Sequence, residues 1–261
     1  MTALRAVYLD LDGTLLGRDG SLLHDGEGTF SLLGARALEA CERAGAEVCL
    51  YSGRTRAGLV RDARMLGVRA CAFEAGAGLW VDGEVTWLTG AYAPKEATSV
   101  HDQITASGAP AALLKRYAGR LEYHDPWHTG REVSHLLRGR VDLAEANALV
   151  ARHGLRLLDN GASHRRSPVP DPRVYHLVPA EVSKAGGVAA HMRLRGYEAQ
   201  DVIAVGDSLE DLETATVVGT FWFVANAPVA PTAHLNVRRA EDSYGAGVYE
   251  AVITTLAERR A

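Results

Sequence analysis

Short apolar runs alternate with helical patterns at both ends of the chain. Near the N-terminus, strand-like runs are predicted at Ala6–Leu9, Glu47–Tyr51 and Ala70–Phe73, and helical patterns fall between them. Near the C-terminus, strands are predicted at 201–205 and 221–224, with helices at 184–195, after Ser208 and at 247–259. Alternation of this kind specifies a parallel sheet with helical crossovers. The sequence therefore predicts an α/β, Rossmann-like core to which both ends contribute.

The middle of the chain has a different pattern. Short strands are expected at 121–124, 133–137 and 155–158, helices near 97–107 and 143–153, and a proline-rich turn at 167–172. This mixture is typical of an inserted α+β domain. We therefore predict a discontinuous core at 1–82 and 183–261, and a cap domain at 83–182.

Composition excludes several classes of partner. The 261 residues include 28 basic and 32 acidic side chains, a net charge of -4, so no global positive field attracts nucleic acid or anionic lipid. No apolar run approaches the roughly 18 residues of a membrane helix, and the N-terminus lacks a leader-like pattern. The three cysteines lack CxxC spacing, which favours buried thiols in a reducing compartment. We expect a cytoplasmic protein without nucleic-acid or membrane partners, and its oligomeric state is not predicted.

The first predicted strand runs directly into Asp10-Leu11-Asp12-Gly13-Thr14. Residues two apart in an extended segment point the same way, so both carboxylates face one spot at the sheet edge where α/β folds bind ligands. Two adjacent negative charges need a cation or a shared proton. This indicates either Mg²⁺ bound by carboxylate oxygens, or one carboxylate attacking while the other carries a proton. A polar turn made by Asp12-Gly13 explains the motif equally well.

Three further stretches fall at strand ends or helix starts. Ser52-Gly53-Arg54-Thr55 offers a hydroxyl and backbone amides to a phosphate oxygen, or is simply a helix cap. Lys184 opens a late helix, where it neutralises a phosphoryl group or lies solvated at the surface. Gly206-Asp207-Ser208-Leu209-Glu210-Asp211 supplies carboxylates for a hard cation, or an acidic first helical turn. Their convergence on one sheet edge favours a phosphate and cation site.

These four motifs, in this order, resemble those of the haloacid dehalogenase superfamily of phosphotransfer enzymes. The long insert is similar to that of the branch with a large α+β cap, which includes Cof-type sugar phosphatases, sucrose-phosphate phosphatase, mannosyl-3-phosphoglycerate phosphatase and phosphomannomutase. The resemblance covers the motifs at both ends of the chain, whereas the cap matches in position and rough pattern. It implies a phosphoric monoester hydrolase with an inserted cap.

Carried over to this chain, the resemblance assigns roles to individual residues. It implies that Asp10 is a nucleophile forming an aspartyl phosphate, and that Asp12 protonates the leaving oxygen and then activates water. The implied Mg²⁺ ligands are Asp10, Asp12 through its backbone carbonyl, Asp207 and, in a supporting place, Asp211. The implied phosphate contacts are Gly13, Thr14, Ser52, Gly53 and Lys184.

The chain departs from the pattern of many relatives at two positions. Glu210 stands where many of them have Asn before the last Asp, and Glu74-Ala75-Gly76-Ala77 stands where many have Glu-Asn-Gly-Ala. The Asn of that turn helps to shape the active site or its substrate contacts in relatives. The catalytic set of carboxylates, Ser and Lys is intact.

Specificity is expected from the cap, which closes over the catalytic edge and excludes water. Arginine suits bidentate capture of a second phosphate or a carboxylate, although surface salt bridges explain arginines as well. The candidate residues lie beside one predicted strand and in one loop: Arg131, Ser134 and His135, and His164, Arg165 and Arg166.

The resulting prediction is a Mg²⁺-dependent phosphatase that releases phosphate from a small phosphorylated metabolite, such as a sugar phosphate or a phosphoglycerate-type compound. Two alternatives stay open. A phosphomutase of the phosphomannomutase type uses the same aspartyl phosphate. A non-enzymatic phospho-receiver module also combines aspartates, a hydroxyl and a lysine, but it needs neither the paired Asp motif nor the insert.

Overall fold

The computed structural model describes residues 3–162, 169–228 and 233–260. Within these ranges the strands, in chain order, are β1 (Ala6–Leu9), β2 (Glu47–Tyr51), β3 (Ala70–Phe73), β4 (Gly78–Val81), β5 (Glu84–Trp87), β6 (Leu121–Tyr123), β7 (His135–Gly139), β8 (Leu155–Ala162), β9 (Arg173–Pro179), β10 (Val202–Gly206), β11 (Thr220–Phe223) and β12 (Val237–Arg239). The α-helices are α1 (Leu33–Ala44), α2 (Arg56–Met65), α3 (Val100–Ala106), α4 (Ala109–Arg116), α5 (Leu143–Ala151), α6 (Lys184–Arg195), α7 (Leu209–Leu212) and α8 (Tyr244–Arg260).

The larger sheet has the order β12-β11-β10-β1-β2-β3-β4-β5. Its strands pair in parallel from β12 to β3, and the β3–β4 and β4–β5 pairs are antiparallel. All four residues of β1 are buried, as expected for an inner strand covered by helices on both faces. The predicted α/β fold with a parallel core sheet is confirmed.

Helix caps fix where the chain leaves the carboxyl edge of this sheet. The Thr55 side chain accepts a hydrogen bond from the Gly58 N–H at the start of α2, and Ser183 accepts one from Gly186 at the start of α6. Helix α1 ends at Gly45, whose φ of +67° suits glycine. These predicted boundaries are confirmed, and they place the residues before α2 and at the start of α6 at one edge.

The smaller sheet is antiparallel, with the order β6-β7-β9-β8. Helices α3 to α5 share an apolar core with it, which includes Ile104, Leu113 and Leu137. Strand β5 pairs with β4, so the larger sheet extends to Trp87, past the boundary predicted at residue 82.

Several elements were not predicted from the sequence. They are the β4–β5 hairpin, α4, β9 and β12, which are short or follow a proline or glycine. Helix α8 begins at Tyr244, earlier than the predicted residue 247. No helix in the described ranges combines the length and the apolarity that crossing a membrane requires. The three cysteines are buried and free.

Candidate active site

Three carboxylates from three places in the chain meet at the carboxyl edge of the larger sheet. Asp10 follows β1, Asp207 follows β10, and Asp211 lies in the first turn of α7. One oxygen from each lies within 4.8 Å of those of the other two. The backbone N–H of Asp10 donates to the Val205 carbonyl at 3.1 Å, which ties the end of β1 to β10. Parallel strand pairing therefore produces the cluster.

Lys184 provides the cation of this cluster. Its Nζ donates to Asp10 Oδ1 at 3.0 Å and to Asp211 Oδ1 at 2.7 Å, and the residue is only 2% exposed. Burial alone would lower the pKa of Lys184, but the charges of Asp10 and Asp211 outweigh it and raise that pKa well above its usual value. Lys184 is therefore protonated across the whole physiological range.

The remaining negative charge is not balanced within the cluster. Burial raises the pKa of Asp10 well above its usual value, and Asp211 and Asp207 raise it further against the opposing charge of Lys184. Burial and the charge of Asp211 likewise raise the pKa of Asp207 to about 6. One cation facing three carboxylates leaves a site to which a divalent ion would add the missing charge.

The residues present fit Mg²⁺. Carboxylate oxygens are the donors that this hard cation prefers. Gly13 has a φ of +88°, and a Cβ built on it would lie 2.4 Å from Asp207 Oδ2, so only glycine lets this carboxylate approach the turn. The Thr14 hydroxyl donates to Asp207 Oδ1 at 3.2 Å and orients it further. Asp207 is thus held in place by the turn that follows Asp10.

Asp12 has a different environment from Asp10. Arg54 donates to its two oxygens from Nε at 2.8 Å and from Nη2 at 2.6 Å. Arg54 is itself held by Asp62, which accepts from Nη1 at 2.6 Å. The Asp12 side chain is 57% exposed and is not one of the three clustered carboxylates. Of the two aspartates of the first motif, Asp10 is therefore buried in the cluster, whereas Asp12 is exposed and lies outside it.

Ser52 and Gly53 connect β2 to α2 beside this edge. Ser52 is buried, and its Oγ accepts a hydrogen bond from the backbone N–H of Arg54 at 3.2 Å. A Cβ on Gly53 would lie 2.6 Å from His176 Nε2, so β9 of the smaller sheet packs directly on this turn. The predicted phosphate-binding turn thus lies where the two sheets meet.

The predicted specificity residues have three different outcomes. Arg131 reaches the turn, because its Nη1 donates to the Gly53 carbonyl at 2.9 Å, and Ser134 supports it by accepting from the same Nη1 at 3.0 Å. His135 instead stacks on His101 with ring centroids 3.8 Å apart, and burial lowers its pKa to about 4. The loop candidates lie outside the described residues: His164, Arg165 and Arg166.

Sequence reasoning missed Glu74 and His176. Glu74 is fully buried, and its carboxylate accepts hydrogen bonds from the backbone N–H groups of residues 132–134 and from the Ser134 hydroxyl. His176 is buried on β9, with Nδ1 3.3 Å from Ser134 Oγ. The signals available were an acidic residue directly after β3, and a histidine inside the apolar run of 174–178.

Comparison with known proteins agrees with this geometry. No family model matches the chain. A phosphoglycolate phosphatase of Methanoculleus marisnigri is 26% identical over 254 residues, which are 95% of each protein. A haloacid dehalogenase-like hydrolase from Bacteroides thetaiotaomicron has the same fold, with a TM-score of 0.64, 16% identity and coverage of 96% and 99% of the two chains. The chain is therefore similar in sequence to phosphoglycolate phosphatases and similar in fold to a haloacid dehalogenase-like hydrolase.

A second solved structure with a similar fold also covers nearly the whole chain. The sucrose-phosphatase of Synechocystis, solved with sucrose and phosphate, covers 97% of this chain and 98% of its own, with a TM-score of 0.68 and 12% identity. The predicted resemblance to haloacid dehalogenase-type phosphatases is confirmed by these relatives, and the predicted class of phosphoric monoester hydrolase agrees with them.

Proposed function

We propose that the chain is a Mg²⁺-dependent phosphatase that hydrolyses a small phosphorylated metabolite through an acyl phosphate on Asp10. The observation that carries this proposal is Lys184, whose Nζ lies between Asp10 and Asp211 beside the third carboxylate, Asp207. Phosphoryl transfer depends mainly on positioning and on neutralising charge, and this cluster supplies a nucleophile, a cation and metal ligands in one place.

The residues that would hold Mg²⁺ are Asp10, Asp207 and, through its backbone carbonyl, Asp12, with Asp211 in support. When bound, the ion neutralises phosphoryl charge and fixes the orientation of the phosphoryl group. Asp211 is also held from its other oxygen, because the N–H groups of Asp207 and Ser208 and the Ser208 hydroxyl donate to Oδ2. Asp211 therefore holds both the Lys184 ammonium group and the backbone of the Asp207 turn in position.

The first chemical step forms one bond and breaks another. A carboxylate oxygen of Asp10 attacks phosphorus, and the bond from phosphorus to the leaving oxygen breaks as Asp12 gives that oxygen a proton. Lys184 and Ser52 bind the phosphoryl oxygens, together with the turn at Gly13 and Thr14 and the turn at Gly53. Removing one electrostatic contact of this kind commonly costs on the order of 10²–10³ in rate.

The second step releases phosphate. Asp12, now ionised, takes a proton from a water molecule that attacks phosphorus, and the bond between phosphorus and Asp10 breaks. Inorganic phosphate leaves, and both aspartates return to their starting states. The two hydrogen bonds from Arg54 hold the Asp12 carboxylate in one orientation, and Asp62 keeps Arg54 in place.

The cap in this proposal is the smaller unit predicted at 83–182, apart from β5, which belongs to the larger sheet. It covers the Ser52-Gly53 turn through Arg131 and His176. Since relatives are named phosphoglycolate phosphatase and sucrose-phosphatase, we propose a small monoester with a polar leaving group, such as 2-phosphoglycolate or a sugar phosphate.

A panel assay tests the proposal. The purified full-length chain is incubated with phosphoglycolate, phosphoglycerates and hexose and pentose phosphates, and released phosphate is measured with Mg²⁺, with excess EDTA, and after Mg²⁺ is restored. We expect continuous release from at least one monoester that EDTA abolishes and Mg²⁺ restores. Release that is indifferent to EDTA would overturn the metal assignment, and isomerisation without net release would indicate a mutase.

A further inference from the structure

Three successive backbone carbonyls in the phosphate-binding turn are held by donors from outside it. The Ser52 carbonyl accepts from the Ala75 N–H at 3.0 Å, and the Arg54 carbonyl accepts from the Glu74 N–H at 2.9 Å. Both donors belong to the turn after β3, which is in the core. The carbonyl between them, that of Gly53, accepts from the Arg131 side chain at 2.9 Å instead. One peptide of the turn is thus anchored from the cap.

This peptide unit links two functional groups. The Gly53 carbonyl and the Arg54 N–H belong to one planar unit, so fixing the carbonyl also fixes the direction of the N–H. That N–H donates to Ser52 Oγ at 3.2 Å, which leaves the hydroxyl proton of Ser52 available to a phosphoryl oxygen. The side chain of Arg54 continues from the same unit to Asp12.

The Arg131 side chain is buried against its neighbours and does not extend into solvent. Its side chain is 5% exposed, and it also donates to the Trp127 carbonyl at 2.9 Å and to Ser134 Oγ at 3.0 Å. Glu74 Oε2 lies 3.9 Å from Nη1 and accepts from the Ser134 hydroxyl at 2.8 Å, which balances the buried positive charge. The guanidinium is therefore held in one geometry by four neighbours.

We propose that Arg131 is a positioning residue that fixes the Gly53–Arg54 peptide unit, and through it the Ser52 hydroxyl and the partner of Asp12. The inference rests on the proposed function, because it gives the turn a role in binding the phosphoryl group. In this proposal Arg131 acts on the binding of the phosphoryl group, which all substrates share. A residue that recognised the leaving group would distinguish one substrate from another.

The test compares two substrates that differ only beyond the phosphoryl group. The kcat and KM of Arg131→Gln are measured with the best monoester of the panel and with phenyl phosphate, and the inhibition constant of orthovanadate is measured alongside. A positioning role predicts that kcat falls by the same factor for both substrates, about 10- to 100-fold, with little change in KM. Orthovanadate binding weakens in parallel, and Arg131→Lys recovers part of the loss.

Two further variants keep the result interpretable. Arg138→Gln is the matched control, since Arg138 pairs with Glu122 on the same cap sheet, and its kcat is expected to equal that of the unaltered chain. If Arg131→Gln does not fold, Ser134→Ala removes one support of the guanidinium and is expected to give the same substrate-independent loss at a smaller, several-fold size.

A loss confined to KM for the polar substrate would overturn the inference, as would unchanged kcat for both substrates in a folded variant. Failure of the proposed function has a separate signature. In that case the unaltered chain itself gives no Mg²⁺-dependent release in the same assay.

Discussion

Single residues set the electrostatics of the site. Lys184 is the only cation among the described residues that bonds to the three-carboxylate cluster, and it contacts Asp10 and Asp211 but not the third carboxylate. Asp207 is held by Thr14 and approaches Gly13 instead. Asp207 is thus the carboxylate that lacks a basic partner, and Gly13 in the turn after β1 leaves room for it. This favours the Asp207 side of the cluster as the position of a cation.

Gly13→Ala tests that placement. A methyl group would lie 2.4 Å from Asp207 Oδ2 and force the carboxylate away, so we expect the Mg²⁺ concentration for half-maximal rate to rise at least about 10-fold. The measurement is a Mg²⁺ titration of kcat/KM. Gly67→Ala is the control: Gly67 has a comparable φ of +73° but nothing within 4 Å of the added methyl. An unchanged Mg²⁺ requirement in Gly13→Ala would contradict the placement.

At this scale the sequence predicted which residues lie close together better than which atoms each of them contacts. Asp10 and Asp207 each follow a buried strand, and parallel strands end at one edge, so their proximity follows from the alternating pattern. The bond from Arg54 to Asp12 depends on the exact path of two loops, which no period in the sequence encodes. Arg131 was expected to contact substrate, and its contacts with Gly53 and Ser134 emerge only from packing between the sheets.

At the scale of elements, two polar groups of the site, Lys184 and Asp211, lie in the first turns of helices. Ser183 caps α6 and so determines where Lys184 begins the helix, and Ser208 forms a reciprocal capping pair with Asp211 at α7. A cap at these positions stabilises the helix and orients a site residue by the same hydrogen bonds. We therefore expect stability and activity to be coupled at these two caps.

Paired cap deletions separate the two effects. Ser183→Ala and Ser99→Ala each remove a side-chain cap, the latter at α3 in the smaller unit, so each is expected to cost about 1 kcal/mol of unfolding free energy. Only Ser183→Ala should also lower kcat, several-fold, because Lys184 is the next residue. Urea unfolding and steady-state kinetics on both variants check this. Equal activity in the two would indicate that the cap does not orient Lys184.

The prediction of elements was accurate where amphipathic period and caps agree, as for α1, α2 and α6. It was incomplete for short strands. The β4–β5 hairpin turns at Asp82-Gly83, both with positive φ, and its two strands have only four residues each. Strand β4 is stabilised by pairing with β3, and β5 by pairing with β4, contacts that local pattern does not reveal.

At the scale of the whole molecule, the two units are joined by buried polar contacts near the site. Glu74 lies in the turn after β3 with a φ of +47°, followed by Ala75 at +62°. This turn places the Glu74 carboxylate against three cap N–H groups while its own N–H holds the Arg54 carbonyl. The motifs and their order predicted a core with a cap, but not this connection between them.

A second network predicts how global stability depends on pH. Arg195 and Tyr197 donate to the Glu47 carboxylate, and His191 Nε2 lies 3.6 Å from it. Burial alone would raise the pKa of Glu47, but these partners outweigh it and lower that pKa to about 2. The stabilisation is therefore complete above the ordinary pKa of about 4.5 and is lost as pH falls from there toward 2.

Glu47→Gln should accordingly reduce the unfolding free energy by about 1–2 kcal/mol at pH 7, and by less at pH 3.5. Urea unfolding of both proteins at the two pH values measures the difference. Glu39→Gln serves as control, because Glu39 forms an exposed pair with Arg43 four residues along α1, worth about 0.5 kcal/mol or less. A loss of unfolding free energy in Glu47→Gln that was larger at pH 3.5 than at pH 7 would contradict this explanation.

The most direct test of the proposed mechanism is the rate of Mg²⁺-dependent phosphate release by Asp10→Asn, compared with the unaltered chain and with Asp19→Asn, an exposed aspartate changed in the same way. Asp10→Asn keeps the shape of the side chain but removes the attacking oxygen anion, so release should fall by on the order of 10³-fold or more while Asp19→Asn stays fully active. Undiminished Mg²⁺-dependent hydrolysis by a folded Asp10→Asn protein would contradict Asp10 as the nucleophile.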